Sequence, residues 1–370
     1  MSGSALGKEG EVLTTQIDRF MHLNPGITVR IQQTPDDATQ RHQLYVQWLN
    51  AHVGRPDVLQ LDVIWTAEFA AAGWILPLDR FIPDLRDFFP ATIDANRWRG
   101  QLYAMPWFVD VGMLYWRTDL LQGPPASIEE FRRSFVWQGA RYEGLVTVFL
   151  EFLGAYGGRI MTDDGLVIVN SNAGIRALAE MRRQIVTGVA PREVLTWHEE
   201  ECRFAFQNGR ALYMRNWPYA VAAMSGPDSA VAGKFAIAPM PGGAGGRPTA
   251  ALGGAPLAIN AWSDHPEEAY RLIEFLTAPE QMAERLSVVG QYPPRMSLYE
   301  KNSEIRPIIE AATPRPVTPV YAELSQHLQV ALHRALIGDI TPRRALNEAA
   351  PGMQALIDRS GLRAAGARRP

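Results

Sequence analysis

Residues 56–79, PDVLQLDVIWTAEFAAAGWILPLD, constrain the fold more than any other stretch of the chain. The short apolar run VLQLDVI predicts a strand buried on both faces, as in parallel α/β sheets. Asp62 falls near its carboxyl end, which is where open α/β sheets bind their ligands. Trp65 and an Ala-rich helix ending at Gly73 follow. The stretch therefore predicts an α/β fold with a ligand-binding corner; the alternative is that Asp62 only caps the helix.

Length and composition exclude several classes of protein. A chain of 370 residues can bury a large core and favours two domains over one. The formal net charge of −3, with no basic stripe, argues against nucleic acid as a partner. Cys202 is the only cysteine and the seven histidines lack ligand spacing, so we expect no metal site. No apolar run reaches the length of a membrane span. Phosphate loops and nucleophile elbows are missing from the sequence, and we expect no cofactor.

The first residues, MSGSALG, lack the charged and apolar regions of a signal peptide. Read literally, this predicts a cytoplasmic protein. The alternative is that a signal segment is missing from the sequence.

Periodicity predicts alternating helices and strands. We expect helices at 9–23 and 38–53 around a strand at 27–32, a βαβ order typical of a parallel sheet. An aromatic-rich strand at 101–117 is expected to break at Pro106 and to mark a crossing between lobes. Further helices are expected at 172–186, 266–286, 321–337 and 342–359, with a disordered tail at 364–370.

Aromatic residues beside charged ones suggest a sugar as the ligand. Phe108 precedes Asp110 by two residues, and Trp217 and Tyr219 follow Arg215. Flat rings can stack on the C–H faces of a sugar while charged groups bind its hydroxyls. The alternative is that these rings only pack in the core. A carboxylate pair drawn from Asp62, Asp110 and Glu143 could also cleave a glycoside.

Seven segments carry a family resemblance: residues 56–79 above, LYAMPWFVDVGMLYWRTDLL, FVWQGARYEGL, FQNGRALYMRNWPYA, KFAIAPMPG, ALGGAPLAI and ATPRPVTPVYAELS. In this order they resemble the trehalose/maltose-binding proteins of ABC importers, which are extracellular solute-binding proteins of family 1. The resemblance implies two α/β lobes of the periplasmic-binding-protein fold around a ligand cleft. Lobe I would comprise 1–107 and about 255–305, and lobe II about 108–254 and 306–370. Hinge crossings would lie near 106–112, 250–256 and 306–316.

The resemblance also implies a set of ligand-binding residues. Hydroxyl-binding groups and aromatic surfaces are expected at Glu9, Arg41, Asp62, Trp65, Phe108, Asp110, Trp217, Tyr219, Gly253, Gly254 and Arg315.

The sequence departs from the family in four places. Phe108 replaces a usual Tyr, and Ala255 replaces a Trp, which would widen the pocket. Residues 127–135 are shorter than usual. The family's first strand, before Gly3, is expected to be absent and to leave a sheet edge exposed.

We therefore expect the substrate-binding component of an ABC sugar importer. It would bind a trehalose- or maltose-like disaccharide by hinge closure, without catalysis. Its partners would be membrane permease subunits, and it would be a monomer. It would be located in the periplasm or outside the cell, either free or attached by a lipid anchor. The alternatives are a glycoside-active enzyme and a non-transporting sugar-sensing module.

Overall fold

Helices and strands alternate through most of the computed structural model, which describes residues 1–3, 7–35, 38–243 and 246–361. The strands within these ranges are β1 (Ser2–Gly3), β2 (Gln32–Gln33), β3 (Val58–Gln60), β4 (Arg97–Trp98), β5 (Gln101–Leu102), β6 (Ala104–Val111), β7 (Met113–Arg117), β8 (Phe135–Val136), β9 (Tyr213–Asn216), β10 (Phe235–Ala238), β11 (Ala250–Ile259) and β12 (Ala312–Thr313). The helices are α1 (Gly7–Leu23), α2 (Ala38–Asn50), α3 (Thr66–Ala71), α4 (Pro90–Asp94), α5 (Glu143–Ala155), α6 (Asn172–Val186), α7 (Glu199–Gln207), α8 (Tyr219–Met224), α9 (Pro266–Leu276), α10 (Pro279–Val289), α11 (Arg306–Glu310), α12 (Tyr321–Ile337) and α13 (Pro342–Arg359).

The chain divides into two compact units. The first comprises Met1–Asp110 and Gly253–Glu300, and the second comprises Val111–Leu252 and Lys301–Pro370. The hinge crossings that the resemblance implies stay a prediction, because the units are defined by packing and a hinge is defined by motion.

The part of β11 from Gly253 onward belongs to the first unit. This strand pairs with β6 and, antiparallel, with β3, where Val58 lies opposite Ile259. The expected parallel pairing is thus wrong for these two strands. β3 is also shorter than predicted, because Asp62 accepts a hydrogen bond from the Ile64 amide and starts a 3-10 helix there. The helix after Trp65 ends as expected, with Gly73 in the left-handed conformation that glycine favours.

Residues at the start of the chain form a strand, which corrects the expectation of a missing one. β1 pairs parallel with β2, and the Ser2 hydroxyl hydrogen-bonds with the Tyr45 hydroxyl at 2.6 Å. Ser2 is fully buried. The strand expected at 27–32 is reduced to Gln32–Gln33, since β1 is only two residues long and offers no longer ladder.

Two prolines act differently from expectation. Pro106 lies inside β6 and does not break it, because proline's fixed φ is compatible with an extended strand. Pro279 divides the helix expected at 266–286 into α9 and α10. Its ring excludes the helical conformation from Ala278, which is extended with ψ 148°.

In the second unit, a four-stranded sheet has the order β10-β7-β9-β8, with antiparallel pairs except for β8 and β9. Helices α5, α6, α12 and α13 pack against one another. The predicted bounds of the helices at 172–186, 321–337 and 342–359 are confirmed. Residues 127–135 hold one short 3-10 helix, Ile128–Glu130. The tail at 364–370 lies outside the described residues. Among the described residues, no helix is long and apolar enough to cross a membrane.

Gly254 combines a positive φ with a close approach of neighbouring backbone. Its φ is +109°, and an added Cβ would lie 2.3 Å from the Phe108 carbonyl oxygen. We expect Gly254→Ala to lower the free energy of unfolding by about 2–4 kcal/mol, because backbone must move to relieve the clash. Gly73 also has positive φ, +71°, but an added Cβ there would meet nothing within 4 Å.

The matched control is therefore Gly73→Ala, which should cost only about 1 kcal/mol of left-handed strain. Urea unfolding of both variants measures the difference. Equal losses would mean that the close approach of β6 to Gly254 does not constrain this position.

Candidate functional site

Asp110 is a poorly compensated carboxylate of the first unit. It is half-buried near the end of β6. Among the described residues, no hydrogen-bond donor or cation meets its side chain. Burial, followed by the nearby negative charges of Asp62 and Glu9, raises the pKa of Asp110 to about 6. The fold therefore brings three of the predicted site residues together as an acidic cluster: Glu9, Asp62 and Asp110.

Glu9 has partners that compensate its charge. Its Oε1 atom accepts hydrogen bonds from Gln291 Nε2 at 2.9 Å and Arg285 Nη2 at 3.4 Å. Arg285 is only 1% exposed, and its guanidinium lies 4.1 Å from the centroid of the Trp107 ring. Burial lowers the pKa of Arg285 to about 10, against the opposing effect of Glu9. The cluster thus contains a buried cation beside Glu9, while Asp110 has no such partner in the described part of the chain.

Asp62 and Trp65 lie at the predicted corner, and Arg41 packs on the Trp65 ring. Asp62 Oδ1 accepts a hydrogen bond from the Ile64 amide at 3.1 Å and so caps the 3-10 helix Val63–Trp65. The alternative placed this cap on the Ala-rich helix α3, whose N-cap is Trp65. The Arg41 guanidinium lies 5.4 Å from the Trp65 ring centroid and donates to the Pro35 carbonyl. Trp65 itself is 6% exposed, as expected of a packed ring. The Arg41 cation therefore packs on the Trp65 ring, whose amide donates to the carbonyl of Asp62.

The remaining first-unit candidates lie where β6 meets β11. Phe108 is half-buried, with its ring centroid 5.6 Å from that of Trp107. Gly253 and Gly254 are half-buried on β11. Ala255 follows them and is 6% exposed. The wider pocket expected from its small side chain stays a prediction.

Trp217 is the best-supported ring of the second unit. It follows β9 and is half-buried. Its Nε1 donates to Glu199 Oε1 at 3.3 Å, and the Arg215 guanidinium lies 4.0 Å from its ring centroid. Its backbone is also held, because its amide donates to Asn216 Oδ1 and its carbonyl accepts from the Tyr115 hydroxyl. Such a ring can offer one fixed face to a ligand.

Tyr219 stands close by and is 42% exposed. Its hydroxyl donates to Glu200 Oε1 at 2.7 Å. Both aromatic residues are thus tied to the first turn of α7, which carries Glu199 and Glu200. Burial and the bond to Glu200 raise the pKa of the Tyr219 phenol.

Arg315 belongs to a second hydrogen-bond network of the second unit. Its Nη1 donates to Glu143 Oε1 at 3.0 Å and its Nη2 to the Leu252 carbonyl at 3.3 Å. Glu143 also accepts hydrogen bonds from the Tyr321 and Ser325 hydroxyls. Glu143, a candidate for the carboxylate pair, is therefore occupied as the acceptor of this network.

Sequence reasoning missed the residues that support the candidates. Arg285 beside Glu9 and Glu199 beside Trp217 carry no recognisable motif. The first-turn acids of α7 would be explained equally well by the helix dipole. Arg215 is part of the aromatic pattern in the sequence, but the pattern does not predict that Arg215 is buried against the Trp217 ring.

The chain matches the family model described as bacterial extracellular solute-binding protein over residues 4–283. A probable ABC transporter-binding protein from Deinococcus radiodurans is 34% identical over 358 residues, covering 87% of this chain and 84% of the relative. The chain belongs to the bacterial extracellular solute-binding protein family. Family members of this kind are located in the periplasm or outside the cell.

Solved structures identify the fold within this family. The maltose-bound MalE3 of T. maritima is 38% identical, with a TM-score of 0.83 over 96% of this chain and 98% of that chain. The sugar-binding protein MalE of Xanthomonas citri is 24% identical, with a TM-score of 0.84 over 97% of this chain and 96% of that chain, a likeness of fold alone. The predicted α/β fold of the maltose-binding type and the family resemblance are confirmed.

Asp110 should make the protein less stable at neutral pH. Its folded-state pKa of about 6 exceeds the ordinary value of 3.8. The bound proton therefore stabilises the fold below about pH 4, and this contribution is lost as the pH rises through about 6. We expect Asp110→Asn to raise the free energy of unfolding by about 1–3 kcal/mol at about pH 7.5, and by nothing at about pH 4.

Chemical denaturation across this pH range measures the effect. The control is Asp94→Asn, at an exposed residue of α4, which should change stability by less than about 0.5 kcal/mol at every pH. A gain from Asp110→Asn that does not vary with pH would contradict a raised pKa.

Proposed function

We propose that this protein is the substrate-binding component of an ABC sugar importer and binds a maltose- or trehalose-like disaccharide. The single observation that carries the proposal is the Asp110 carboxylate, which lacks a donor among the described residues and lies beside Asp62 and Glu9. The hydroxyl groups of a sugar can donate short hydrogen bonds to such a carboxylate. The maltose bound to the 38% identical T. maritima protein supports this ligand class.

Each unit supplies a different kind of contact in this proposal. Asp110, Asp62 and Glu9 accept hydroxyls on the first unit, with Arg41 as a donor. Trp217 and Tyr219 stack on ring faces on the second unit. A pyranose has both an apolar ring face and hydroxyl groups, so each kind of contact suits a sugar. Hinge closure around the sugar stays a prediction.

We further propose that the protein works as a monomer outside the cytoplasm and delivers its ligand to membrane permease subunits. The family assignment and the Deinococcus relative's description support a transporter partner.

We propose that the protein does not turn its ligand over. One observation favours the glycosidase alternative, since Asp110 has the raised pKa of a general acid and lies near Asp62. Against it, Asp62 Oδ1 is engaged by a backbone amide, and Glu143 is held by Arg315, Tyr321 and Ser325. A binding protein uses the same carboxylates as hydroxyl acceptors, which requires no cleavage.

Trp217→Ala tests the ligand-binding role of the second unit. We expect the affinity for maltose or trehalose to fall by about 2–4 kcal/mol, the scale of a buried aromatic anchor, with the unliganded protein still folded. Isothermal titration calorimetry measures the affinity. The control is Trp262→Ala, because Trp262 is also half-buried and stacks on His52 at 4.5 Å in the first unit.

The control should leave the affinity unchanged. An unchanged affinity in Trp217→Ala would remove this ring from the site. The wild-type samples, analysed after titration, should contain no free glucose; glucose release that Asp62→Asn abolishes would overturn the receptor proposal in favour of the glycosidase.

A further inference from the structure

A fully buried ion pair underlies Trp217 in the second unit. Glu151 on α5 and Arg215 on β9 both have side chains with 0% exposure. Arg215 Nη2 donates to Glu151 Oε1 at 2.6 Å and its Nε donates to Oε2 at 2.9 Å, a bidentate arrangement. Gln138 completes the site, because its Nε2 donates to the Arg215 carbonyl and its Oε1 accepts from Arg215 Nη1.

A gain in stability alone does not explain why a fully buried ion pair is present here. Removing two charges from water costs several kcal/mol for each ion, and apolar replacements of buried pairs are often neutral or stabilising. A buried pair is better explained where it fixes the geometry of something else. Two neighbours of this pair give it that role.

The first neighbour is the Trp217 indole. The Arg215 guanidinium lies over one face of the ring, 4.0 Å from its centroid. A ligand can therefore stack only on the opposite face. Because Arg215 cannot move without breaking its bonds to Glu151, the indole is packed against a fixed surface.

The second neighbour is the pair of segments by which the chain enters and leaves the second unit. The Ala251 amide donates to Glu151 Oε1 at 3.2 Å, and the Gly112 amide donates to the Ala251 carbonyl at 3.1 Å. A Cβ on Gly112 would lie 1.7 Å from Glu151 Oε1 and 2.3 Å from Arg215 Nη2. The ion pair therefore fills the space that glycine leaves at this entry segment.

We propose that Glu151 and Arg215 are positioning residues, which hold the Trp217 indole in its sugar-stacking orientation and tie it to the entry segments at Gly112 and Ala251. This inference rests on the proposed sugar-binding function. Neither residue touches the ligand, since both side chains are fully buried. Their effect on affinity passes through Trp217, because a stacking surface held in place beforehand loses less freedom when the ligand binds.

A double-mutant cycle with maltose as the probe tests the inference. The pair variant Glu151→Gln/Arg215→Met removes both charges and keeps an oxygen that can accept from the Ala251 amide. We expect its dissociation constant for maltose to rise about tenfold, the scale of a lost cation–π contact and its ordering effect. In a Trp217→Ala background the same pair change should leave the dissociation constant unchanged.

The matched control is Arg117→Met/Asp119→Asn. Arg117 lies on β7 of the same sheet and pairs with Asp119 in the same bidentate way, at 2.7 and 2.6 Å. This change should leave the maltose affinity unchanged. If the Glu151 pair variant does not fold, Arg215→Lys carries the same cycle, since it keeps the charge and loses the flat guanidinium, and the expected loss is several-fold.

Three results overturn the inference. Wild-type affinity in the pair variant, or an equal loss with and without Trp217, shows that the pair does not act through the indole although the protein binds sugar. Absence of maltose or trehalose binding by the wild-type protein overturns the proposed function and the inference with it.

Discussion

The proposed sugar binding depends on an acidic cluster of the first unit in which only part of the charge is compensated. Glu9 lies beside the buried Arg285, and one oxygen of Asp62 starts a 3-10 helix, yet Asp110 has no donor in the described part of the chain. The fold could have neutralised this carboxylate with another cation, at a gain in stability. Because Asp110 lacks a donor among the described residues, it can accept hydrogen bonds from a ligand's hydroxyls. The stability that Asp110 costs is thus connected with the proposed binding.

In the second unit, the buried Arg215 and Arg315 are each paired with a carboxylate. Arg215 donates hydrogen bonds to Glu151 and Gln138, and Arg315 donates to Glu143 and the Leu252 carbonyl. What this unit leaves open is aromatic surface, at Trp217 and Tyr219. Carboxylates that accept hydrogen bonds from hydroxyls and aromatic surfaces that stack on ring faces are both features by which proteins recognise sugars.

Local patterns predicted the elements whose signals are local. The helices α6, α12 and α13 have the predicted bounds because their periodicity and caps lie within each segment. Strand pairing was less predictable, since β3 pairs with a strand about 200 residues away. The resemblance supplied the site candidates, but Arg285 lies 276 residues from Glu9, so no local motif indicates that it compensates this charge.

The most direct test of the account is the proton balance of sugar binding. Maltose should be titrated calorimetrically at about pH 6, where Asp110 is half-protonated, in buffers of different ionisation enthalpy. Hydroxyls that donate to the carboxylate favour its charged form and lower its pKa, so the account predicts proton release on binding. Asp110→Asn should abolish this release. Binding with no proton release, or with equal release by the variant, would contradict the claim that Asp110 is kept for the ligand.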